Sequence, residues 1–206
     1  MMRPFLRLAA ATPFLAAAVL ALAPPVHAAT CGERLTTKPF AAWGDRASYF
    51  LVSNGGFESG RTGWRLGGDA RVVAGNEPFY VRSKTDAYSL AIPSGGWAET
   101  APFCVDSDEP TMRYFVRNTG SPLSTLTVSV TVRTTLLGIA RETTLPLGAA
   151  LGTTTTWQPS LVTLFGPFSV NQLLGGTTTV RFRFTPLLPG GAWQIDDVYV
   201  DPFKDW

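Results

Sequence analysis

Two stretches far apart in the chain carry the carboxylates with the clearest chemical meaning. Residues 54–60 (NGGFESG) present Glu58 in a glycine-rich turn, and residues 193–200 (WQIDDVYV) carry the adjacent Asp196 and Asp197. Because neighbouring strand residues point to opposite faces, one aspartate must face inward unless a bulge intervenes. A carboxylate in a core is costly unless it is paired or bound to a metal. Ca²⁺ accepts carboxylate and carbonyl oxygens in a flexible shell, so the pattern predicts a structural, non-catalytic calcium ion.

The chain is poor in the side chains that serve as general bases or activated nucleophiles. Its only histidine, His27, lies within residues 1–28, which are predicted below to be removed as a signal peptide. The chain that remains, called the mature chain here, would have no Ser-His or Cys-His pair and no His ligand for zinc. Glycosidases use two carboxylates, but the spacing selects no pair among Glu58, Glu77, Glu99, Asp196 and Asp197. The acidic run 106–109 (DSDE) is typical of a solvated turn, with a cation site as the alternative. We therefore expect a binding protein and no enzyme.

Residues 1–28 have the pattern of a signal peptide. Arg3 and Arg7 precede an apolar run that ends at a proline pair, and the small residues Val26 and Ala28 stand at the −3 and −1 positions. The apolar run is shorter than the about 20 residues of a membrane span. We expect cleavage, no stable membrane insertion afterwards, and a secreted, extracellular or cell-surface location. A membrane anchor is the alternative.

Cleavage also changes the charge balance of the chain. It leaves 178 of the 206 residues, and loss of two arginines lowers the basic residues from 17 to 15, equal to the 15 acidic ones. A neutral chain argues against a nucleic-acid partner, which would require a basic excess. A chain of this length is one domain of ordinary size.

Two cysteines remain after cleavage, Cys31 and Cys104. In an exported chain an even pair predicts a disulfide. By closing a loop of about 74 residues it would stabilise the fold by about 4 kcal/mol. It would tie an irregular N-terminal extension, residues 29–50, onto a β domain spanning residues 51–206. Two buried thiols, or a lipid-modified Cys31, are the alternatives.

The mature chain has the hydropathy pattern of an all-β protein. Val180, Phe182 and Phe184 alternate with Arg181 and Arg183, so one face packs on a core while the other faces solvent. Residues 135–140 and 170–174 could hold a helical turn. Gly, Pro, Asn and Asp punctuation predicts a jelly-roll β-sandwich of about nine short antiparallel strands in two sheets. The clearest strands are expected at 112–117, 125–133 and 180–184, and weaker ones at 47–52, 71–74, 88–92, 99–105, 161–164 and 193–200.

The motifs NGGFESG with GW at 63–64, and WQIDDV at 193–198, resemble those of carbohydrate-binding modules of families 4, 9 and 22. The resemblance covers roughly residues 52–201 and implies the galactose-binding-like jelly roll. It also implies that Glu58 and Asp196 ligate a structural calcium ion as side chains. Carbonyl groups near Gly56 and around residues 84–86 would complete the shell. In the alternative, the two carboxylates face solvent or pair with Arg61 or Arg82.

The resemblance implies a polysaccharide or other glycan partner, bound by aromatic rings that offer flat apolar area at low entropic cost. Trp64 belongs to a packing position. Exposed candidates are Tyr80, Trp97 and Phe115, the last placed beside Arg113 on an outward strand face. For each ring, packing on the surface or burial under the N-terminal extension is the alternative to ligand contact. The alternative function is a structural or protein-interaction module with an envelope protein partner, favoured by the neutral charge and the apolar segment 161–165.

Overall fold

The computed structural model describes residues 31–106, 109–165 and 177–201. The predicted leader and the helical turn considered at 170–174 lie outside these ranges. The described residues form one 3₁₀ turn, Ala41–Trp43, and thirteen strands. The strands are β1 Phe50–Leu51, β2 Trp64–Gly67, β3 Arg71–Ala74, β4 Tyr88–Pro93, β5 Trp97–Thr100, β6 Phe103–Cys104, β7 Thr111–Asn118, β8 Thr125–Leu136, β9 Ile139–Leu151, β10 Gln158–Pro159, β11 Thr163–Leu164, β12 Thr177–Leu187 and β13 Ala192–Asp201.

These strands form two antiparallel sheets. The seven-stranded sheet has the order β10-β7-β13-β4-β3, with β1 on β13 and β11 on β7. The six-stranded sheet has the order β2-β5-β12-β8-β9, with β6 on β12. Nine of the described strands have four or more residues. The predicted jelly-roll β-sandwich is therefore confirmed, and the pairing of β1 with β13 brings residue 50 beside residue 200.

The core between the sheets follows the predicted alternation. On β12 the side chains of Val180, Phe182 and Phe184 are fully buried, while Arg181 and Arg183 are half-buried on the outer face. Trp64, the expected packing residue, is 6% exposed, and its indole Nε1 donates a hydrogen bond of 3.2 Å to the carbonyl of Asn54. Side-chain period two therefore fixes which face of a strand is buried.

Residues 135–140, where a helical turn was considered, form a hairpin instead. Strand β8 continues to Leu136, the turn residues Leu137 and Gly138 have φ of 50° and 79°, and β9 begins at Ile139. Two central residues with positive φ match the twist of the flanking strands. Most of β9 is exposed, so its sequence has no burial alternation to reveal the strand.

The N-terminal extension packs against the outer face of the seven-stranded sheet. Phe40 and Tyr49 are buried there against Phe115 and Tyr199. Phe40 stacks on Phe115 with ring centroids 5.3 Å apart. Strand β7 is consequently buried on both faces. Among the described residues, no helix is long and apolar enough to cross a membrane.

The expected disulfide joins Cys31 to Cys104, with Cα atoms 5.6 Å apart. The alternative of two buried thiols is wrong, and the Cys31 sulfur is not free to carry a lipid thioether. The backbone N–H of Cys31 donates to both carboxylate oxygens of Asp106, at 3.2 and 3.1 Å. Arg34 forms an ion pair of 2.7 Å with Glu109. The start of the extension is thus fixed by a covalent bond and two polar contacts.

Candidate functional site: a buried carboxylate cluster and an open sheet face

A β-bulge in β13 places both adjacent aspartates inside the protein. The register with β7 shifts between Asp196 and Tyr199, and Asp197 has a φ of 46°. Both aspartates are fully buried. A bulge interrupts the alternation of side chains between the two faces of a strand. It therefore explains how two neighbouring carboxylates can both be buried.

Asp196 is held by backbone donors. Its Oδ2 accepts a hydrogen bond of 3.1 Å from the N–H of Glu77, and its Oδ1 accepts one of 2.9 Å from the N–H of Asp197. Glu77 itself is fully buried, and its carboxylate accepts from the N–H groups of Phe79 (2.5 Å) and Val81 (2.9 Å). Sequence reasoning treated Glu77 as one acid among several. Its position directly before a proline in a loop was the signal that it could organise that loop.

Asp197 has the unusual environment. Both of its carboxylate oxygens are buried, and neither has a hydrogen-bond partner within the described ranges. The nearest cation is Arg82, whose Nε lies 4.0 Å from Asp197 Oδ1. The Arg82 guanidinium is already bonded to Asp86, at 2.7 and 2.5 Å. A Cβ at Gly56 would lie 2.6 Å from Asp197 Oδ1, so only glycine leaves room beside this oxygen.

Glu58 lies near this cluster and bonds to the backbone. Its Oε1 accepts hydrogen bonds from the N–H groups of Ala87 (2.9 Å) and Tyr88 (3.0 Å). The predicted ligands Glu58, Asp196 and Asp197 do not bring three oxygens within 4.8 Å of one another. Where the structure describes the chain, only Cys31, Asp106 and Glu109 form such a group, and the Cys31 sulfur is in the disulfide. The structure gathers the predicted carboxylates into one region without closing a site from their side chains alone.

The electrostatics of the cluster favour a bound cation. Burial, together with the charges of Glu77, Asp86 and Glu58, raises the pKa of Asp197 from 3.8 to about 7 against the opposing charge of Arg82. Burial and the charge of Asp197 raise the pKa of Asp196 to about 9. An unpaired buried carboxylate is costly, and an oxygen-binding cation would supply the missing charge. Ca²⁺ is a cation that accepts carboxylate oxygens of this kind.

These pKa shifts give a prediction for the protein in a chelator. The folded-state pKa of Asp197 lies above its unfolded value, so the folded state binds more protons between about pH 4 and pH 7. Its contribution to the free energy of unfolding therefore falls as pH rises through that window. Thermal unfolding at pH 5.5 and pH 8 should show this loss, and it should be smaller in Asp197→Asn. Equal pH dependence in both proteins would contradict the assignment.

The outer face of the six-stranded sheet carries Trp97. The indole is half-buried, with the guanidinium carbon of Arg183 3.9 Å from its ring centroid and that of Arg65 6.0 Å away. A Cβ at Gly67, the cross-strand partner, would overlap the indole ring. Glu99 lies beside the ring and pairs with Arg65 (3.3 Å) and Arg183 (3.8 Å). The strands thus hold one aromatic ring among charged groups on an accessible face.

Among the other predicted ligand residues, Arg113 and Phe115 lie on the opposite sheet, and Tyr80 lies in the loop between β3 and β4. Tyr80 is 46% exposed, with a φ of 51°. Phe115 is not an exposed ligand residue, because the ring is fully buried under the extension, which was the alternative for it. Arg113 is also buried, and its guanidinium donates to the carbonyl of Ser160 (3.0 and 2.9 Å) and to Asp45 (2.5 Å). Trp97 is therefore separated from the other three candidates.

No protein-family profile matches the chain, and no curated protein matches its sequence. Solved structures do. A family 61 carbohydrate-binding module in complex with β-1,4-galactotriose is 16% identical, covering 73% of this chain and 96% of its own, with a TM-score of 0.38. An enzymatically active domain of a bacteriophage CBA120 tailspike protein is 16% identical over 73% of this chain and 21% of its own, with a TM-score of 0.40.

A third similar structure holds the CBM22-1 and GH10 modules of Clostridium thermocellum xylanase 10B with xylohexaose. It is 14% identical over 69% of this chain and 26% of its own, with a TM-score of 0.45. The chain spans only about a fifth to a quarter of the tailspike and xylanase chains. The resemblance to carbohydrate-binding modules is thus also found among structures, and at these identities it concerns the fold alone.

Proposed function

We propose that the protein is a secreted, non-catalytic module that binds a polysaccharide on the outer face of the six-stranded sheet. The observation that carries this proposal is that this sheet face is open and polar, with Trp97 on it. The outer face of the other sheet is closed around β7 and β13, whose residues are almost all buried. The motifs at residues 54–64 and 193–198, which resemble those of carbohydrate-binding modules, support the same class of ligand.

The chemistry of this face suits sugars. An indole ring offers apolar area to a sugar, and guanidinium groups donate to hydroxyl oxygens. The Arg183 guanidinium lies over the Trp97 ring and Arg65 lies near it, while the buried Glu99 pairs with both arginines and holds them in place. Threonine side chains extend the polar surface along the neighbouring strands, and Thr131 and Thr144 hydrogen-bond to each other across them at 2.9 Å. A chain of sugar residues could lie across several strands of this face.

Trp97→Ala should lower the affinity for a bound polysaccharide at least about tenfold, as expected for a central aromatic contact. Gly67→Ala should also weaken binding, because the new Cβ displaces the indole without removing any ligand-facing side chain. Affinity electrophoresis of the mature protein against plant, fungal and bacterial wall glycans, with calcium present, measures both effects. Tyr88→Ala, which removes an exposed ring on β4 of the other sheet, is the control. Retention unchanged in Trp97→Ala would place the binding site elsewhere.

A structural calcium ion belongs to the same proposal. Asp197 and Glu58 would hold it as side-chain ligands, together with carbonyl groups near Gly56. Asp196 would hold the backbone of Asp197 in place, because its carboxylate accepts a hydrogen bond from the Asp197 N–H. The ion would neutralise a buried carboxylate that lacks a partner within the described ranges. It would join the turn at residues 54–60 to β13, and so stabilise the fold without taking part in sugar contacts.

The alternative is a structural or protein-interaction module with an envelope protein as partner. It is favoured by exposed apolar side chains close together in one segment that runs into β11, with Leu161 86%, Val162 54% and Leu164 63% exposed. Cross-linking in envelope extracts with wild type and with Leu161→Asp/Leu164→Asp distinguishes the two functions. Loss of a specific cross-link in that variant, together with no binding of the wild type to any of the glycans, would favour the protein-interaction module.

A further inference from the structure

A groove of about 710 Å³ lies between the N-terminal extension and the seven-stranded sheet, on the opposite sheet from Trp97. Lys38, Trp43, Asp45 and Arg46 contribute to its wall from the extension, and Thr111 and Val162 from the sheet side. The function proposed above makes no use of this groove, and its residues are distinct from those around Trp97.

The walls of the groove are fixed in place. Asp45 accepts hydrogen bonds from the Tyr49 hydroxyl (2.7 Å), the Ala47 N–H (3.1 Å) and the Arg113 guanidinium (2.5 Å). Phe40, just before the 3₁₀ turn, is fully buried against the sheet. A ligand would therefore enter a preformed groove without first ordering the extension, and this lowers the entropic cost of binding.

The free charge of the groove is positive. Lys38 and Arg46 are exposed, and neither forms an ion pair with any acid in the described ranges. Of the acidic residues that line the groove, Asp45 is bound to Arg113, and Asp201 is only 6% exposed. Two cations thus remain for a ligand of opposite charge.

An aromatic ring stands beside these cations. Trp43 is 37% exposed, and its ring is supported edge-on by Phe79 at 4.8 Å and by Phe115 at 5.4 Å between centroids. The packing fixes the orientation of the indole while part of it stays accessible. At the groove, Thr111 has a buried hydroxyl with no hydrogen-bond partner among the described residues.

We propose that this groove is a second binding site, which takes an acidic saccharide of the uronic acid class. The carboxylate of one sugar ring pairs with Lys38 or Arg46, and the apolar face of the same or the next ring contacts Trp43. An aromatic ring next to a cation distinguishes an acidic sugar from a neutral one, because the cation adds a charge-assisted hydrogen bond. This site stands independently of the glycan site at Trp97.

Calorimetric titration of the mature protein with a galacturonic acid oligomer tests the proposal. We expect binding that weakens as salt rises. A fall of at least about tenfold is expected in Lys38→Ala/Arg46→Ala and in Trp43→Ala, which corresponds to losing a central contact. Arg71→Ala, which removes an exposed cation outside the groove, should bind like wild type.

Absence of binding by the wild type would overturn the proposal. So would an equal loss in Arg71→Ala, because binding would then follow overall charge. Equal affinity for a glutamate oligomer would overturn the saccharide assignment, since any polyanion would then suffice. Thermal unfolding of each variant separates loss of binding from loss of folding. If Trp97→Ala abolished binding while the Lys38 and Arg46 variants bound normally, the acidic sugar would be assigned to the open sheet face and the groove proposal would fail.

Discussion

Removal of calcium should lower the melting temperature of the wild-type mature protein by about 5 to 10 °C. An ion present at about 100 times its dissociation constant stabilises the folded state by about 2.7 kcal/mol. For a chain of this size each kcal/mol shifts the melting temperature by about 2 to 4 °C. The physical source is Asp197, a buried carboxylate with no hydrogen-bond partner within the described ranges and with Arg82 Nε 4.0 Å away. Scanning calorimetry with and without a chelator measures the shift.

The variant Asp197→Asn makes this test specific. It removes the buried charge while nearly keeping the shape of the side chain, so its melting temperature should not depend on calcium. In the chelator it should unfold above the wild type, because it no longer buries an unpaired charge. Asp69→Asn, at an exposed turn position, is the matched control and should keep the full calcium dependence. If the chelator left the melting temperature of the wild type unchanged, calcium would be excluded as the stabilising ion.

Replacement of both cysteines by serine should cost about 4 kcal/mol in the free energy of unfolding. The bond links residues 73 apart in sequence, and the cost follows from the entropy that the closed loop removes from the unfolded chain. Cys31 anchors the extension that covers Phe115 and Tyr199. We therefore expect the outer face of the seven-stranded sheet to become more accessible. Urea unfolding measures the free energy of unfolding, and hydrogen exchange at β7 measures how well the N-terminal extension still shields this strand.

Phe40→Ala provides the comparison for the cysteine variant. It keeps the disulfide and removes the ring that stacks on Phe115, at a cost of about 3 to 5 kcal/mol. Faster hydrogen exchange at β7 in both variants would show that the disulfide and the aromatic cluster both hold the N-terminal extension against this strand. If the double serine variant unfolded at the wild-type urea concentration with the same slope, the disulfide would contribute nothing to stability.

The strands that pack on the core were readable in the sequence, and those that depend on pairing alone were not. Residues 180–184 alternate in hydropathy because β12 has one buried face and one half-buried face. Strand β9 is exposed along most of its length, and only its hydrogen-bonded pairing with β8 makes it a strand. Side-chain period reports burial, so a strand without a buried face gives no periodic signal.

The sequence by itself determined the two-sheet β-sandwich, the disulfide pair and the carboxylates around β13. Only the tertiary structure decided that Asp197, rather than Asp196, lacks a partner within the described ranges, because the bulge in β13 arises from its pairing with β7. It also decided that Phe115 is buried while Trp97 stays accessible. Local periodicity places a side chain on one face of a strand, but whether a distant segment covers that face depends on long-range packing.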